Sequence, residues 1–296
     1  MLYRTAADWR AAPRKRVCLF GMSGLGKTRT SSILRESGQW FHYSVDYRIG
    51  TRYMGEHIVD NFKKEAMRNP FLASLLRSDS IYIASNITFD NLAPLSTYLG
   101  KPGDPARGGL SFAEYMRRQA QHREGEIGAL LDTPHFIERA KEIYDYDHFV
   151  CDSGGSICEV VDPWDPADRV LSCLAAHHLM VWIRGTEAHT EELIRRFRRA
   201  PKPMYYEPAF LTQLWSEYLA LTGARDERDV DPDAFAVWAY EKAMAHRQPR
   251  YAAMAERWGI TVEAEEVAAV RDEADFVDLI AEALDRHAAG AGAGAR

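Results

Sequence analysis

The amino-acid sequence predicts an α/β fold built on a mainly parallel, doubly wound sheet with helices around it. Two observations predict it. A continuous apolar run, Arg16–Phe20, passes through a glycine-rich loop directly into a helical pattern that starts near Lys27. Similar apolar runs then recur between helical stretches, at 40–45, 147–152, 179–183 and 260–263. Continuous rather than alternating apolar runs belong to strands covered on both faces, and strands separated by helices pair in parallel.

The chain is long enough to bury a substantial core: 296 residues, 46% hydrophobic and 27% charged. A formal net charge of −6 argues against a nucleic-acid backbone as the main partner. Nothing approaches 18 consecutive apolar residues, so no membrane span is expected. Residues 1–16 contain no apolar leader core. Cys18, Cys151, Cys158 and Cys173 show neither C-x-x-C nor finger spacing, and two of them lie in apolar strands. Buried reduced thiols and a cytoplasmic location are the expectation.

In chain order, residues 1–15 read as a basic, partly helical lead-in to the first strand. The loop that follows, Gly21-Met22-Ser23-Gly24-Leu25-Gly26-Lys27-Thr28, fits G-x-x-x-x-G-K-T between a strand and a helix. Its glycines let backbone N–H groups turn inward around anionic oxygens, and the helix points its positive end at the same place. Lys27 is placed to reach the β- and γ-phosphates and Thr28 to ligate Mg²⁺, with Arg29 completing the nucleotide-binding stretch. A nucleoside triphosphate with Mg²⁺ is the expected ligand. The helix closes at Gly38, and Asp46 follows the strand at 40–45.

From about 51 to 110 the character changes to an insertion: a helical run, an Asn-Pro break, a β-rich stretch at 80–85 and a Gly/Pro-rich loop at 100–109. Helices are expected at 111–131, where Ser111 and Glu114 read as a capping box, and at 134–144. Asp152 closes the next strand and is the expected second carboxylate of the phosphate site, sharing the metal with Thr28. A helix at 187–199 ends in Arg195, Arg196, Arg198 and Arg199 and leads into the rigid basic loop Pro201-Lys202-Pro203. Helices at 208–221, 232–246, 249–258 and 272–285 follow, and His177-His178 read as structural. One domain, 1–288, with a second, helical insertion at about 205–240 and a disordered Ala/Gly tail at 289–296 is the expected organisation.

The order of these features resembles the shikimate kinase family among the small P-loop kinases. Ser44-Val45-Asp46-Tyr47-Arg48-Ile49 is similar to the family's D-x-D-x-x-I, keeping the second carboxylate, Asp46, with Ser44 at the first. His122-Arg123-Glu124-Gly125-Glu126 matches F-R-x-x-E at Arg123 and Glu126, and Ser153-Gly154-Gly155-Ser156 is similar to T-G-G-G. The arginine-rich helix with Lys202-Pro203-Met204-Tyr205 looks like a lysine version of the lid, and Arg247-Gln248-Pro249-Arg250-Tyr251 with Ala255 fits R-x-P-L-Y-x-x-x-A.

The resemblance implies a P-loop NTPase fold of the nucleoside-monophosphate/shikimate kinase-like type. It implies transfer of the γ-phosphoryl group of ATP to a hydroxyl of a small carboxylate-bearing acceptor, shikimate or a similar polyol. Asp46 would orient that hydroxyl and take its proton; Arg123, Arg247, Gly154 and Gly155 would hold the acceptor. Arg195 and Arg199 would lie over the nucleotide, and Lys27 with Arg199 or Lys202 would offset charge on the transferring group. Two other readings stay open: a P-loop ATPase or switch acting on a protein partner, and a nucleoside, nucleotide or RNA-end kinase.

Overall fold

Five strands form one sheet in the computed structural model of the chain, which describes residues 1–293. They are β1 (Arg16–Phe20), β2 (Trp40–Ser44), β3 (His148–Asp152), β4 (Leu179–Arg184) and β5 (Gly259–Glu263). The order across the sheet is β2-β3-β1-β4-β5, and every pairing is parallel. The fold class is thus the one the sequence predicts, with strand ends within a residue or two of expectation. The central strand, β1, is buried along nearly its whole length because helices cover both faces of a parallel sheet. Its register places Leu19 opposite both Asp152 and Val181, so β1 ends beside the end of β3, while β4 runs on to Arg184.

The chain divides into two units. The first comprises Met1–Val45, Leu130–Ala200 and the chain from Tyr240 on, and it holds the sheet. Two fully buried tryptophans fasten its terminal helices. Trp9, on the helix Ala6–Ala11, donates its indole N–H to Val277 O at 2.9 Å. Trp40 on β2 donates to Glu273 Oε1 at 2.8 Å and meets Phe276 edge-on at 5.9 Å. Both indoles bury a large apolar area yet leave no N–H unpaired. The last helix runs Glu273–Ala293, so the tail expected to be disordered from 289 is helical as far as Ala293, in keeping with alanine's propensity; 294–296 lie outside the described residues.

Two helices expected at 232–246 and 249–258 are one, Pro232–Trp258, with Pro249 inside it. A proline ring removes one helical hydrogen bond. Here Arg247, Arg250 and Tyr251, on both sides of Pro249, are tied to the segment 155–161 and hold the helix continuous.

The second unit, Asp46–Ala129 with Pro201–Ala239, contains helices and extended segments but none of the five strands. Arg118, 8% exposed, is its main polar anchor: it bonds Glu114 and Asn61 at 2.7 and 3.0 Å, reaches the Tyr98 carbonyl and lies over the Tyr98 ring. Half of the expected capping box forms. Ser111 Oγ accepts from Glu114 N–H at 3.2 Å, while the Glu114 carboxylate turns to Arg117 and Arg118 and its pKa falls to about 2. An aromatic group formed by Phe112, Trp215, Phe235 and Tyr218 fills the unit's interior. The stretch 80–85 joins no strand ladder. Its side chains alternate between half-buried and exposed, as an extended segment requires, but a strand also needs a neighbour's backbone.

Replacing Trp9 by alanine removes a fully buried indole and its bond to the last helix. The variant is expected to lose about 3–5 kcal/mol of unfolding free energy, read from the denaturant midpoint; an unchanged midpoint would refute this account of how the termini are held.

Candidate phosphate-binding site

The loop from Gly21 to Gly26 begins where β1 ends, and the helix Lys27–Glu36 begins where the loop ends. Gly21, Gly24 and Gly26 have φ of +135°, +83° and +98°, which brings the backbone round in a tight concave turn. At Gly21 the requirement is also steric: a Cβ would stand 2.6 Å from Ile183 O on β4. The concave turn carries the backbone N–H groups of residues 22–26. These donors, with the first turn of the helix, make the kind of nest that binds phosphate oxygens. Lys27, 7% exposed, folds back so that its Nζ donates to Gly21 O and Met22 O, each at 2.9 Å. The ammonium is therefore held at the loop.

Beside it, Thr28 Oγ1 donates to Asp152 Oδ2 at 2.7 Å. The contact follows from the register. β1 and β3 are neighbours, Asp152 is the last residue of β3, and Thr28 lies in the first turn of the helix that β1 feeds. Asp152 is 6% exposed. His42, from β2, brings Nε2 to 3.8 Å from the same carboxylate oxygen. The sequence reading passed over His42; the available signal was a histidine in an otherwise apolar strand.

The turn after Asp152 forms the next wall. Ser153 donates from both N–H and Oγ to Leu19 O, at 3.2 and 2.9 Å. Gly155 lies so close to the loop that an added Cβ would be 2.6 Å from Ser23 Oγ. On the other side, Leu193 of the helix Glu187–Arg199 and Val267 of the helix Ala264–Ala269 approach Gly24 and Gly26.

Several other sequence-derived residues have engaged or outward positions. The Arg29 guanidinium bonds the carbonyls of Val267, Ala268 and Val270, capping the end of the helix Ala264–Ala269. Arg195 is exposed and pairs with Glu192; Arg199 is exposed at the end of the same helix. Arg247 is 2% exposed, with Nε 2.7 Å from Glu159 Oε1 and Nη1 3.3 Å from Gly155 O. Burial opposes its charge, but the Glu159 carboxylate, together with Tyr251 and Cys158, outweighs it and keeps its pKa above the usual arginine value. The planar fork implied for an acceptor carboxylate thus already faces a protein carboxylate.

Asp46, Arg123 and Lys202 belong to the second unit. Asp46 is half-buried in the short helix Val45–Arg48, and Lys202 is exposed. The Arg123 side chain is 39% exposed, 3.6 Å from Glu124. On the same helix as Arg123, Tyr115 and Gln119 both donate to Met204 O, at 2.9 and 3.0 Å, and Gln119 accepts from Tyr206 N–H at 3.0 Å. His122 stacks on Tyr205 at 5.0 Å, and burial lowers its pKa to about 4, so it is neutral near pH 7.

The close approach of Gly155 to Ser23 makes a paired test. On the sequence expectation that this loop holds ATP, Gly155→Ala should weaken its binding about tenfold, and adding Ser23→Gly, which removes the clashing hydroxyl, should restore most of it. Titration of a fluorescent ATP analogue measures both; no rescue by the second change would show that Gly155 has another role.

No family model matches the chain, and no curated protein matches it. Among solved structures, a shikimate kinase from Bacteroides thetaiotaomicron aligns over 92% of this chain and 95% of its own, with 16% identity and a TM-score of 0.32. The chain is similar to that protein only at this level.

Proposed function

We propose that the chain is an ATP-dependent phosphotransferase that moves the γ-phosphoryl group to a hydroxyl of a small acceptor. The observation that carries the reading is the Thr28–Asp152 contact at 2.7 Å, beside a lysine held at a glycine-rich phosphate loop. A glycine loop alone supports anion binding. The added pair of adjacent hard oxygens fits a Mg²⁺ ion, which takes one or two protein oxygens and keeps water and phosphate as its other ligands.

In this reading Thr28 and Asp152 hold the metal, whose chemistry when bound is neutralisation of phosphate charge. The loop N–H groups grip the phosphates, and Lys27 shifts from its two carbonyls to the phosphate oxygens. Positioning and charge neutralisation supply most of the catalysis of phosphoryl transfer, because the protein does little covalent chemistry. We assign Asp46 to the acceptor hydroxyl, whose proton it would take late in transfer, and Lys202 to charge on the transferring group. With Arg247 committed to Glu159, Arg123 is the arginine of the pair left for an anionic group on the acceptor.

The test is a screen of hydroxyl compounds, shikimate first, for accelerated ATP consumption. A phosphotransferase consumes ATP slowly alone and faster with its acceptor; fast consumption that no hydroxyl compound raises would favour an ATPase and sink the proposal. Asp152→Asn is expected to lower Mg²⁺-dependent turnover about 100-fold, and unchanged turnover would remove Asp152 from the metal. Arg123→Ala should raise acceptor KM while leaving ATP binding as it was; equal KM values in variant and wild type would take Arg123 out of the acceptor site.

A further inference from the structure

The helix Pro232–Trp258 grips the turn after Asp152 and the segment beyond it through several side-chain hydrogen bonds. Tyr251 Oη donates to Gly155 O at 2.5 Å, and Arg247 Nη1 donates to the same carbonyl at 3.3 Å. One turn further on, Arg250 donates from Nε to Cys158 O at 2.6 Å and from Nη2 to Val161 O at 2.7 Å. Arg247 Nε meets Glu159 Oε1 at 2.7 Å, and the two charged residues are 2% and 1% exposed. All of these residues lie in the first unit.

A buried ion pair is a poor way to gain stability, because desolvating both charges consumes most of the attraction. Its value lies in direction: the guanidinium has one plane and the carboxylate must meet it there. Here that direction is passed to Gly155. The turn from Asp152 to Gly155 is fastened at one end by Ser153 to Leu19 O on β1, and at the other by Tyr251 and Arg247 to Gly155 O. Asp152, whose carboxylate meets Thr28, directly precedes the first fastening, and Gly155, where an added Cβ would clash with Ser23, carries the second.

We propose that Glu159, Arg247 and Tyr251 are positioning residues that hold the turn at 153–156 where Asp152 meets Thr28, and so set magnesium-dependent nucleotide affinity without touching the nucleotide. The inference rests on the nucleotide reading above and gives Arg247 a different part from the acceptor ligand implied by family resemblance. Tyr251→Phe deletes only one hydroxyl, and Arg247→Lys keeps the charge but loses the fork.

Both variants are titrated with a fluorescent ATP analogue in Mg²⁺ and again in EDTA, alongside thermal melting. Affinity in Mg²⁺ should fall about tenfold, with a change in EDTA of less than about twofold, the pattern of a defect confined to the metal side. Equal loss in both conditions, or a lower melting temperature with wild-type affinity, would mean that the network only stabilises the fold and would overturn the proposal. Should Tyr251→Phe fail to fold, Arg247→Lys is judged by the same two affinities. A wild-type chain that binds no nucleotide would remove the nucleotide reading and this inference together; wild-type binding matched by both variants would remove the inference alone.

Discussion

The parallel register between β1 and β3 is the constraint on which the candidate site depends. With Leu19 opposite Asp152, the two strands end side by side, one in a glycine loop and the other in a carboxylate. The helix that continues from the loop then has one residue, Thr28, whose hydroxyl reaches Asp152. A slip of one residue would turn Asp152 to the other face of the sheet, because side chains alternate along a strand. The nearly complete burial of β1 and β3 resists such a slip: a polar group moved into that interior without a partner would cost several kcal/mol, on the order of 2–7. The core therefore holds the geometry of the candidate site by fixing registration.

The polar groups around the loop are held by bonds to the protein itself. Lys27 rests on the carbonyls of Gly21 and Met22, Arg29 on the end of a neighbouring helix, and Arg247 on Glu159 and Gly155. Three cations in one region would repel one another if left loose. Each instead meets oxygen atoms whose positions the backbone sets, and this keeps the region rigid before a ligand arrives. Preorganisation of this sort lowers the ordering cost of binding an anion. Of the three, only Lys27 is held by the loop's own carbonyls.

The second unit is held together by different means. Arg118 links helices through Glu114, Asn61 and the Tyr98 carbonyl, while Tyr115 and Gln119 fasten the segment around Met204 and Tyr206. That segment follows directly on Pro201-Lys202-Pro203, so the rigid basic loop is anchored at its downstream end by buried hydrogen bonds rather than by regular structure. A buried amide such as Gln119, using both donor and acceptor, gives a chain segment a defined path where no helix or strand does so.

Local rules were enough for part of this protein. The sequence alone determined the parallel α/β class, the strand positions, the loop Gly21–Thr28 and the helix behind it, because apolar runs, glycines and a following helical pattern act over a few residues. It also singled out Asp152, through its place at the end of an apolar strand. What it could not contain is the partner of each charged group. Arg247 reads in sequence as an open fork and is in fact paired with a residue 88 positions away; Arg29 caps a helix more than 200 positions on. The stretch 80–85 has strand periodicity but no neighbour to pair with, and Pro249 reads as a break in a helix that outside bonds hold continuous. Periodicity and turn chemistry are local, whereas pairing of charges and completion of a ladder depend on which distant segments the fold brings together, and that only the tertiary structure decided.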